Sequence, residues 1–224
     1  MVYRRVLRTL FPETCPRCGG ATTAGFCGGC STDFPRVDAP CPRCGLRAPV
    51  AACPRLKLAW TVEAVIAPYA YAGALKQQVL ALKFRAARSL GRPLGLLVAD
   101  AVAKRARGVD LLLPVPLHRR KLRERGYNQA VEIARGVRAR LGVPLIRNGL
   151  HRGSAGPPQT ALGAAARRAN LEHAFASRRV VRGLRIALVD DVVTTGATIN
   201  ACARALLDAG AAGVEAWAVA RTDE

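Results

Sequence analysis

Acidic residues are scarce in this chain of 224 residues, where 15 aspartates and glutamates stand against 35 lysines and arginines. The formal net charge is +20 and the pI is about 11.0. Such a basic chain favours acidic partners, either nucleic acid or highly charged phosphates. Only 5 of the basic residues are lysines, and an excess of arginine beside abundant alanine and glycine is also what a GC-rich coding bias produces. The charge therefore has two interpretations, and both stay open.

Long apolar runs are also missing. No stretch approaches the ~20 apolar residues that span a bilayer, and residues 1–11 carry arginines without the apolar core of a secretory signal. These absences predict a cytoplasmic protein without membrane insertion. Hydrophobic residues make up 50% of the chain, so we expect one good core plus a small appendage.

The cysteines form an internal repeat. Seven of the eight lie between residues 15 and 53. Cys15-Pro-Arg-Cys18-Gly is followed by Cys27-Gly-Gly-Cys30, and Cys41-Pro-Arg-Cys44-Gly is followed by Cys53, so a shift of 26 positions superposes the units. Each Cys-x-x-Cys-Gly turn can present two thiolates to one ion, and two such turns complete a tetrahedral zinc site.

The second unit is incomplete because Leu56 stands where its fourth cysteine would be. It has lost its metal, borrows a ligand, or pairs its cysteines across the repeat. We favour one structural zinc on Cys15, Cys18, Cys27 and Cys30, with Cys41, Cys44 and Cys53 as the lesser candidates. A disulfide framework is the weaker alternative, since the cluster is odd-numbered and no secretory signal precedes it. Cys202, alone on a predicted helix, is interpreted as a small core residue.

Strands alternate with helices over the rest of the chain, which predicts an α/β fold with a parallel sheet and helices on both faces. The predicted strands span 64–71, 109–117, 144–150, 186–189 and 214–220. The predicted helices span 73–84, 93–107 and 127–141, and a fourth follows residue 196 and ends near Gly210. Residues 57–61 form a linker, so a zinc-ribbon domain at 1–60 precedes a larger domain at 61–224. We expect 151–175 to be a long mobile loop with a helical part.

One segment carries chemistry of its own. Asp190 and Asp191 follow the apolar strand 186–189, at the sheet edge where open α/β folds bind ligands. Small and hydroxyl residues at 194–198 then begin a helix, which is a phosphate-binding arrangement. Two acids beside a phosphate cradle suit a sugar phosphate. The plainer alternative is an ordinary strand, turn and helix with solvated acids.

This segment resembles the signature of type I phosphoribosyltransferases, which bind 5-phosphoribosyl 1-diphosphate (PRPP). The resemblance implies that Asp190 and Asp191 are the catalytic acids that take the ribose hydroxyls, while 194–198 holds the 5′-phosphate. The implied PRPP-binding residues are Asp190, Asp191, Val192, Val193, Thr194, Thr195, Gly196, Ala197 and Thr198.

Further motifs resemble the ComF family of competence proteins. They are the Leu113-Pro-Val-Pro-Leu-His-Arg-Arg-Lys-Leu-Arg-Glu-Arg-Gly-Tyr-Asn-Gln-Ala130 stretch, the Gly156-Pro-Pro-Gln-Thr-Ala-Leu-Gly stretch continuing through 167–175, and Leu82-Lys-Phe84. The cysteine repeat is similar to the double zinc ribbon that opens this family. The resemblance implies a phosphoribosyltransferase-like fold and a part in natural competence, with single-stranded DNA and a competence helicase as partners.

The same resemblance assigns two loops around PRPP. The loop at Val115, Pro116, Leu117, His118 and Arg119 would face the diphosphate, with exposed backbone N–H groups and an unusual peptide geometry. A flexible loop carrying Gln159, Thr160, Arg167 and Arg168 would close over the ligand. Mg²⁺ would bind together with PRPP, through substrate oxygens and water.

A basic rim is the candidate DNA surface. Its residues are Lys76, Lys83, Arg119, Arg120, Arg123, Arg125 and Tyr127, with Tyr127 available to stack on a base. A solvated basic helix start is the plainer alternative. Two functions follow from these observations: a PRPP-binding accessory protein that handles DNA, or an active phosphoribosyltransferase that transfers the pentosyl group to a base or ammonia.

Overall fold

The computed structural model describes residues 13–23, 25–47, 53, 60–103, 108–152, 175–177 and 181–222. In chain order the elements are β1 (Glu13–Thr14), β2 (Ala21–Thr22), α1 (Gly28–Thr32), β3 (Ala64–Ile66), β4 (Tyr69–Ala70), α2 (Gly73–Phe84), α3 (Gly91–Ala103), β5 (Leu111–Pro114), α4 (Arg119–Arg125), α5 (Gln129–Leu141), β6 (Leu150–Arg152), β7 (Phe175–Ser177), β8 (Arg185–Val193), α6 (Ala197–Asp208) and β9 (Gly213–Arg221). The predicted flexible-loop residues Gln159, Thr160, Arg167 and Arg168 lie outside the described residues, as does Leu56.

A parallel sheet organises the larger part of the chain. Its strands run in the order β3, β9, β8, β5, and β4 pairs with the carboxyl end of β9. Every residue of β9 is buried, as expected of a strand covered on both faces. The carboxyl ends of parallel strands meet at one edge of the sheet, so this topology brings the ends of β5, β8 and β9 together.

Helices cover both faces of the sheet, as predicted. Residues from α2, α3 and α5 pack with Ala187, Val189 and Trp217 on one face. Residues from α6 pack with Ile186 and Leu188 on the other face, because successive side chains of a strand point to opposite sides. The predicted α/β class with a parallel sheet is confirmed. Among the described residues, no helix combines the length and the apolar character that crossing a bilayer requires.

The two cysteine groups pack into opposite faces of this core. Cys15 and Cys30 belong to the cluster that contains α2, α3 and α5. Cys41 and Cys44 belong to the cluster that contains α6. The division into domains at residues 1–60 and 61–224 stays a prediction. Cys202 is fully buried in the α6 cluster, which confirms its interpretation as a core residue.

One predicted strand is divided in the structure, and one predicted helix begins later than predicted. The strand predicted over 64–71 is two short strands, β3 and β4, separated by Ala67 and Pro68, and proline cannot donate to a strand ladder. The helix predicted over 127–141 begins only at Gln129, because the Asn128 side chain caps it by accepting a hydrogen bond from the backbone N–H of Ala130 at 2.9 Å. Gly142 ends it in the left-handed conformation, as predicted.

Two other predictions are corrected at their boundaries. The strand predicted over 144–150 is reduced to a single parallel bridge between Leu145 and Leu112, and β6 begins at Leu150. The ends of the loop predicted over 151–175 are ordered as the antiparallel pair β6 and β7, with His151 opposite Ala176. Residues 153–174 lie outside the described part of the chain.

Candidate functional site

The two predicted acids lie within β8 rather than after it, which corrects the strand end predicted at Val189. β5 pairs with β8 only as far as Val189, whereas the pairing of β8 with β9 continues to Val193. Beyond Val189, β8 therefore has a described neighbour on one side only. Asp190 and Asp191 occupy this half-open part of the strand, beside the loop that leaves β5.

Asp191 is paired with a lysine from a distant helix. Lys83 Nζ, near the end of α2, lies 2.9 Å from Asp191 Oδ1, and the two side chains are 19% and 5% exposed. The other carboxylate oxygen, Oδ2, is buried and has no hydrogen-bond partner among the described residues. Because a buried carboxylate oxygen without a donor is costly, Oδ2 is well suited to accept a hydrogen bond from a ligand.

Asp190 has a different environment. Its Oδ1 accepts a hydrogen bond from the backbone N–H of Asp191 at 2.8 Å. Burial, followed by the negative charge of Asp191, raises the pKa of Asp190 to about 8, although that N–H and the ammonium of Lys83 oppose the shift. This shift favours the protonated form of Asp190 at neutral pH, in which its carboxyl group can donate a hydrogen bond.

The turn after β8 joins the acids to α6. Thr194 and Thr195 are exposed, and the Thr195 hydroxyl accepts a hydrogen bond from the N–H of Ala197 at 3.3 Å. Gly196, the N-cap of α6, has φ +81°. A Cβ at Gly196 would lie 2.3 Å from Cη2 of Trp60, so the turn needs glycine for its conformation and for the close approach of the indole.

Arg221 contacts this turn through a hydrogen bond to its backbone. It is the last residue of β9, it is fully buried, and its guanidinium donates a hydrogen bond to the carbonyl oxygen of Thr194. The same guanidinium lies 5.4 Å from the centre of the Trp60 ring. Arg221 and Trp60 thus contact each other, and each also contacts the candidate phosphate turn.

Sequence reasoning missed Lys83, Trp60 and Arg221 as parts of this site. Lys83 was assigned to the basic rim, and the other two were not singled out. An arginine that ends an otherwise apolar strand is a signal that could have pointed to the site, because its charge has to be compensated when the strand is buried.

The candidate diphosphate loop is held by hydrogen bonds at both ends. The N–H of Val115 donates to the carbonyl oxygen of Val189 at 2.9 Å. The Asn128 side-chain amide donates to the carbonyl oxygen of Val115 at 2.9 Å. His118 Nδ1 accepts from the backbone N–H of Arg120 at 3.2 Å and caps α4. His118 therefore has a structural task, and its contact with diphosphate stays a prediction.

The unusual peptide geometry predicted for this loop is absent. The described residues contain no cis peptide bond, and their only non-glycine residues with positive φ are Ala39 and Ala86. Hydrogen bonds from Val115 and Asn128 suffice to fix the loop in ordinary backbone conformations.

The predicted basic rim is only partly exposed. Lys76, Arg119, Arg120 and Arg123 are exposed, and Arg125 is half-buried. Tyr127 is buried, with 9% exposure, and its hydroxyl donates to the carbonyl oxygen of Leu82. This corrects the prediction that Tyr127 stacks on a base, because its ring is covered. Lys83 is likewise engaged by Asp191 rather than displayed on the rim.

The first cysteine cluster fits a tetrahedral metal. The sulfurs of Cys15, Cys18, Cys27 and Cys30 all lie within 4.8 Å of one another, and Cys18 Sγ is 3.6 Å from Cys27 Sγ. Zn–S bonds of about 2.3 Å at tetrahedral angles require sulfurs about 3.8 Å apart. Burial acts to raise the pKa of Cys15, but hydrogen bonds from backbone N–H groups, that of Cys27 first, lower it to about 6. These residues would hold structural zinc.

The second cluster is similar but has three ligands. The sulfurs of Cys41, Cys44 and Cys53 lie within 4.8 Å of one another, with 3.5 Å between Cys44 and Cys53. No fourth cysteine, histidine or carboxylate joins them among the described residues. All eight cysteines are free thiols, so the disulfide alternative is not realised. Each cluster gathers the cysteines of one repeat, so the pairing across the repeat is not realised either.

Three curated relatives are similar to the chain over much of its length. It is 32% identical to DNA utilization protein YhgH of Salmonella typhi over 208 residues, which cover 88% of this chain and 91% of that protein. It is 37% identical to competence protein F of Haemophilus influenzae over 140 residues, which cover 60% of each. It is 33% identical to competence protein ComFC of Bacillus subtilis over 114 residues, covering 50% of this chain and 45% of that protein.

Solved structures give more distant likenesses. The glutamine PRPP amidotransferase from B. subtilis shares 24% identity at a TM-score of 0.42, covering 58% of this chain and 26% of that chain. A purine phosphoribosyltransferase from Pyrococcus horikoshii shares 13% identity at a TM-score of 0.37, covering 60% and 83%. No protein-family model matches the chain. The sequence relationship therefore carries the assignment, and the chain belongs to the ComF family of competence and DNA utilization proteins.

Proposed function

We propose that the chain binds PRPP at Asp190, Asp191 and the turn 194–198, and that it assists the handling of single-stranded DNA. The observation that supports PRPP best is the buried Asp191 carboxylate, which has one oxygen on Lys83 and the other without a donor. A ribose hydroxyl supplies the donor that this oxygen lacks. The printed names of the relatives, DNA utilization protein and competence protein, support the DNA part.

Each part of PRPP has a candidate partner in this proposal. The ribose hydroxyls meet the two acids, with Asp190 able to donate as well as accept. The 5′-phosphate meets backbone N–H groups at the start of α6, where a helix terminus favours an anion. The diphosphate faces the loop at 115–119, and Mg²⁺ would supply charge neutralisation through the diphosphate oxygens. The flexible-loop residues Gln159, Thr160, Arg167 and Arg168 would cover the ligand.

Calorimetric titration of the protein with PRPP, in the presence of Mg²⁺, tests the site. Replacing Asp190→Asn and Asp191→Asn together removes the two carboxyl groups that would contact the ribose hydroxyls, so we expect affinity to fall about 100-fold or more. Asp208→Asn makes the same chemical change at the exposed end of α6 and should bind like the unmodified protein. Unchanged binding in the double variant would remove the proposed site.

The second candidate is an active phosphoribosyltransferase, which the same acids favour. If transfer occurs, positively charged groups stabilise the departing diphosphate, and the site mainly positions the ribose. Incubation with PRPP, Mg²⁺ and a panel of bases or ammonia, with diphosphate release as the readout, separates the candidates. Release that depends on one acceptor identifies an enzyme, and binding without release identifies an accessory protein.

A further inference from the structure

A large aromatic side chain stands exposed next to the candidate site. Phe84, the last residue of α2, is 71% exposed, more than any other large hydrophobic residue in the described part of the chain. Its neighbour Lys83 reaches back to Asp191 at 2.9 Å. Exposing an aromatic ring costs hydrophobic free energy, which a ligand stacked on the ring would recover.

The end of α2 is fixed, so Phe84 is not exposed because the helix frays. The N–H of Arg85 donates to the carbonyl oxygen of Ala81 at 3.0 Å. The buried hydroxyl of Tyr127 donates to the carbonyl oxygen of Leu82. Ala86 then turns the chain with φ +52°. A ring presented from a fixed backbone loses little conformational entropy when a ligand stacks on it.

The surroundings of the ring are basic. A cleft of about 280 Å³ between α2 and α4 is lined by Lys83, Phe84, Ala86, Lys121, Glu124 and Arg125. The guanidinium of Arg125 lies 5.2 Å from the centre of the Phe84 ring. Glu124, the one acid of the cleft, is 2.8 Å from the guanidinium of Arg120, so its charge is already compensated. Lys83 is paired with Asp191, whereas the described residues form no ion pair with Lys121 or Arg125. An aromatic face beside these two cations suits a planar base attached to a phosphate.

We propose that Phe84 is a stacking platform for a nucleobase, with Lys121 and Arg125 contacting the adjoining phosphates. The inference rests on the proposed function and deepens it, because it assigns the contact once predicted for Tyr127 to a residue whose ring is exposed. A single-stranded nucleic acid is the source that the basic surroundings favour. Its bases are unpaired, and every base offers a face for stacking without sequence preference.

Fluorescence anisotropy with a labelled oligothymidylate at low salt tests the platform. Removing one stacking aromatic weakens binding about 5- to 150-fold, so Phe84→Ala should show a loss in that range. Phe84→Tyr keeps a stacking face and should retain binding. Leu122→Ala, which truncates the other exposed large apolar residue, is the matched control and should bind as the unmodified protein does.

Salt dependence separates stacking from charge. Phe84→Ala should leave the slope of log affinity against log salt unchanged. Lys121→Ala should make this negative slope less steep by about 0.7 for single strands. An oligonucleotide affinity in Phe84→Ala equal to that of the unmodified protein would overturn the platform. That result would not affect the proposed function. The proposed function fails only if the unmodified protein binds no oligonucleotide at low salt, or binds no PRPP.

Free nucleobases distinguish the source of the base. Equilibrium dialysis with PRPP, Mg²⁺ and each free base measures acceptor binding in the same variants. Weakened oligonucleotide binding with unaltered free-base binding supports a strand of nucleic acid as the ligand. Weakened free-base binding alone overturns that assignment, because Phe84 would then belong to an acceptor site.

Discussion

Asp190 and Asp191 share a strand end but have different surroundings. The carboxylate of Asp191 lies 2.9 Å from the ammonium of Lys83. Asp190 is half-buried, and burial together with its neighbour's charge raises its pKa to about 8. Paired carboxyl groups whose environments differ in this way are typical of functional sites, where one acid accepts and the other donates.

The shifted pKa of Asp190 predicts a pH-dependent cost in stability. The raised pKa favours retention of this proton in the folded protein up to about pH 8, whereas the unfolded chain releases it near the ordinary aspartate pKa of 3.8. The folded state is therefore penalised progressively as pH rises through this window, and the penalty is complete above about pH 8. We expect Asp190→Asn to melt at a higher temperature than the unmodified protein, by a margin that grows from pH 5 to pH 8.

Thermal melting at a series of pH values, followed by circular dichroism in zinc-containing buffer, measures this margin. Asp208→Asn serves as the control, because its exposed carboxyl group should give a small difference at every pH. A margin for Asp190→Asn that stays constant from pH 5 to pH 8 would contradict the predicted burial of a protonated acid.

The sequence identifies site residues that are close together in the chain, but not those that are brought together by folding. Asp190, Asp191 and the turn after them were identifiable because strand, acids and glycine are consecutive. Lys83 was not identifiable as their partner, since more than a hundred positions separate it from Asp191. Tyr127 was misjudged for the same reason, because its ring is buried and its hydroxyl bonds to Leu82, which is distant in the chain.

Among the elements, the turn between β8 and α6 depends on one position more than on any other. Gly196 combines a left-handed conformation with contact from Trp60. Gly196→Ala therefore incurs both a conformational penalty and a steric clash, and we expect a loss of about 2–4 kcal/mol in the free energy of unfolding. Denaturant unfolding followed by tryptophan fluorescence measures this loss.

Gly142→Ala is the matched control for that experiment. Gly142 has φ +75° and no atom within 4 Å of an added Cβ, so its substitution carries the conformational penalty without the clash. The difference between the two variants isolates the contact with Trp60. Equal losses would show that the indole moves aside without cost, and that the turn does not depend on its packing.

Elements with strong local patterns were predicted well, and weakly patterned ones were not. Helix α2 spans Gly73–Phe84, as its apolar spacing predicts. The segment 144–150 looked like a strand because it is apolar, but its pairing partner is a single residue of β5. Strand length is set by how far a neighbour runs alongside, and a neighbour distant in the chain is not visible in local composition.

The whole molecule carries a cysteine cluster on each face of its sheet. We predict that the four-cysteine cluster binds one zinc ion tightly and that Cys18→Ser releases it, because three thiolates and a hydroxyl hold zinc less well than four thiolates. The melting temperature should fall as well, since Cys15 and Cys30 pack into the core with α2 and α3. Elemental analysis of the purified protein measures the zinc.

Two further variants complete that measurement. Cys202→Ala removes a buried thiol outside both clusters and should leave the zinc content unchanged. Cys53→Ser lowers the zinc content only if the three-cysteine cluster also holds an ion. Zinc retained in full by Cys18→Ser would refute the first site.

The sequence predicts the parallel sheet, because strands and helices alternate along the chain. The packing of the cysteine segments into that sheet was not predictable, because the repeat was interpreted as a module with its own metal support. Side chains such as Phe26 and Phe34, which pack edge to face at 4.9 Å between ring centres, also join the core of the larger part. Aromatic residues in this cysteine-rich segment are thus a signal of packing beyond it.

The position of β9 has a consequence for how the protein is made. It lies inside the sheet between β3 and β8, yet both of those strands leave the ribosome before it. β3 and β4 pair with β9, so on the nascent chain their backbone groups remain without that partner. The sheet can therefore assemble only after β9 has been synthesised, and until then the unpaired strand edges are prone to aggregation.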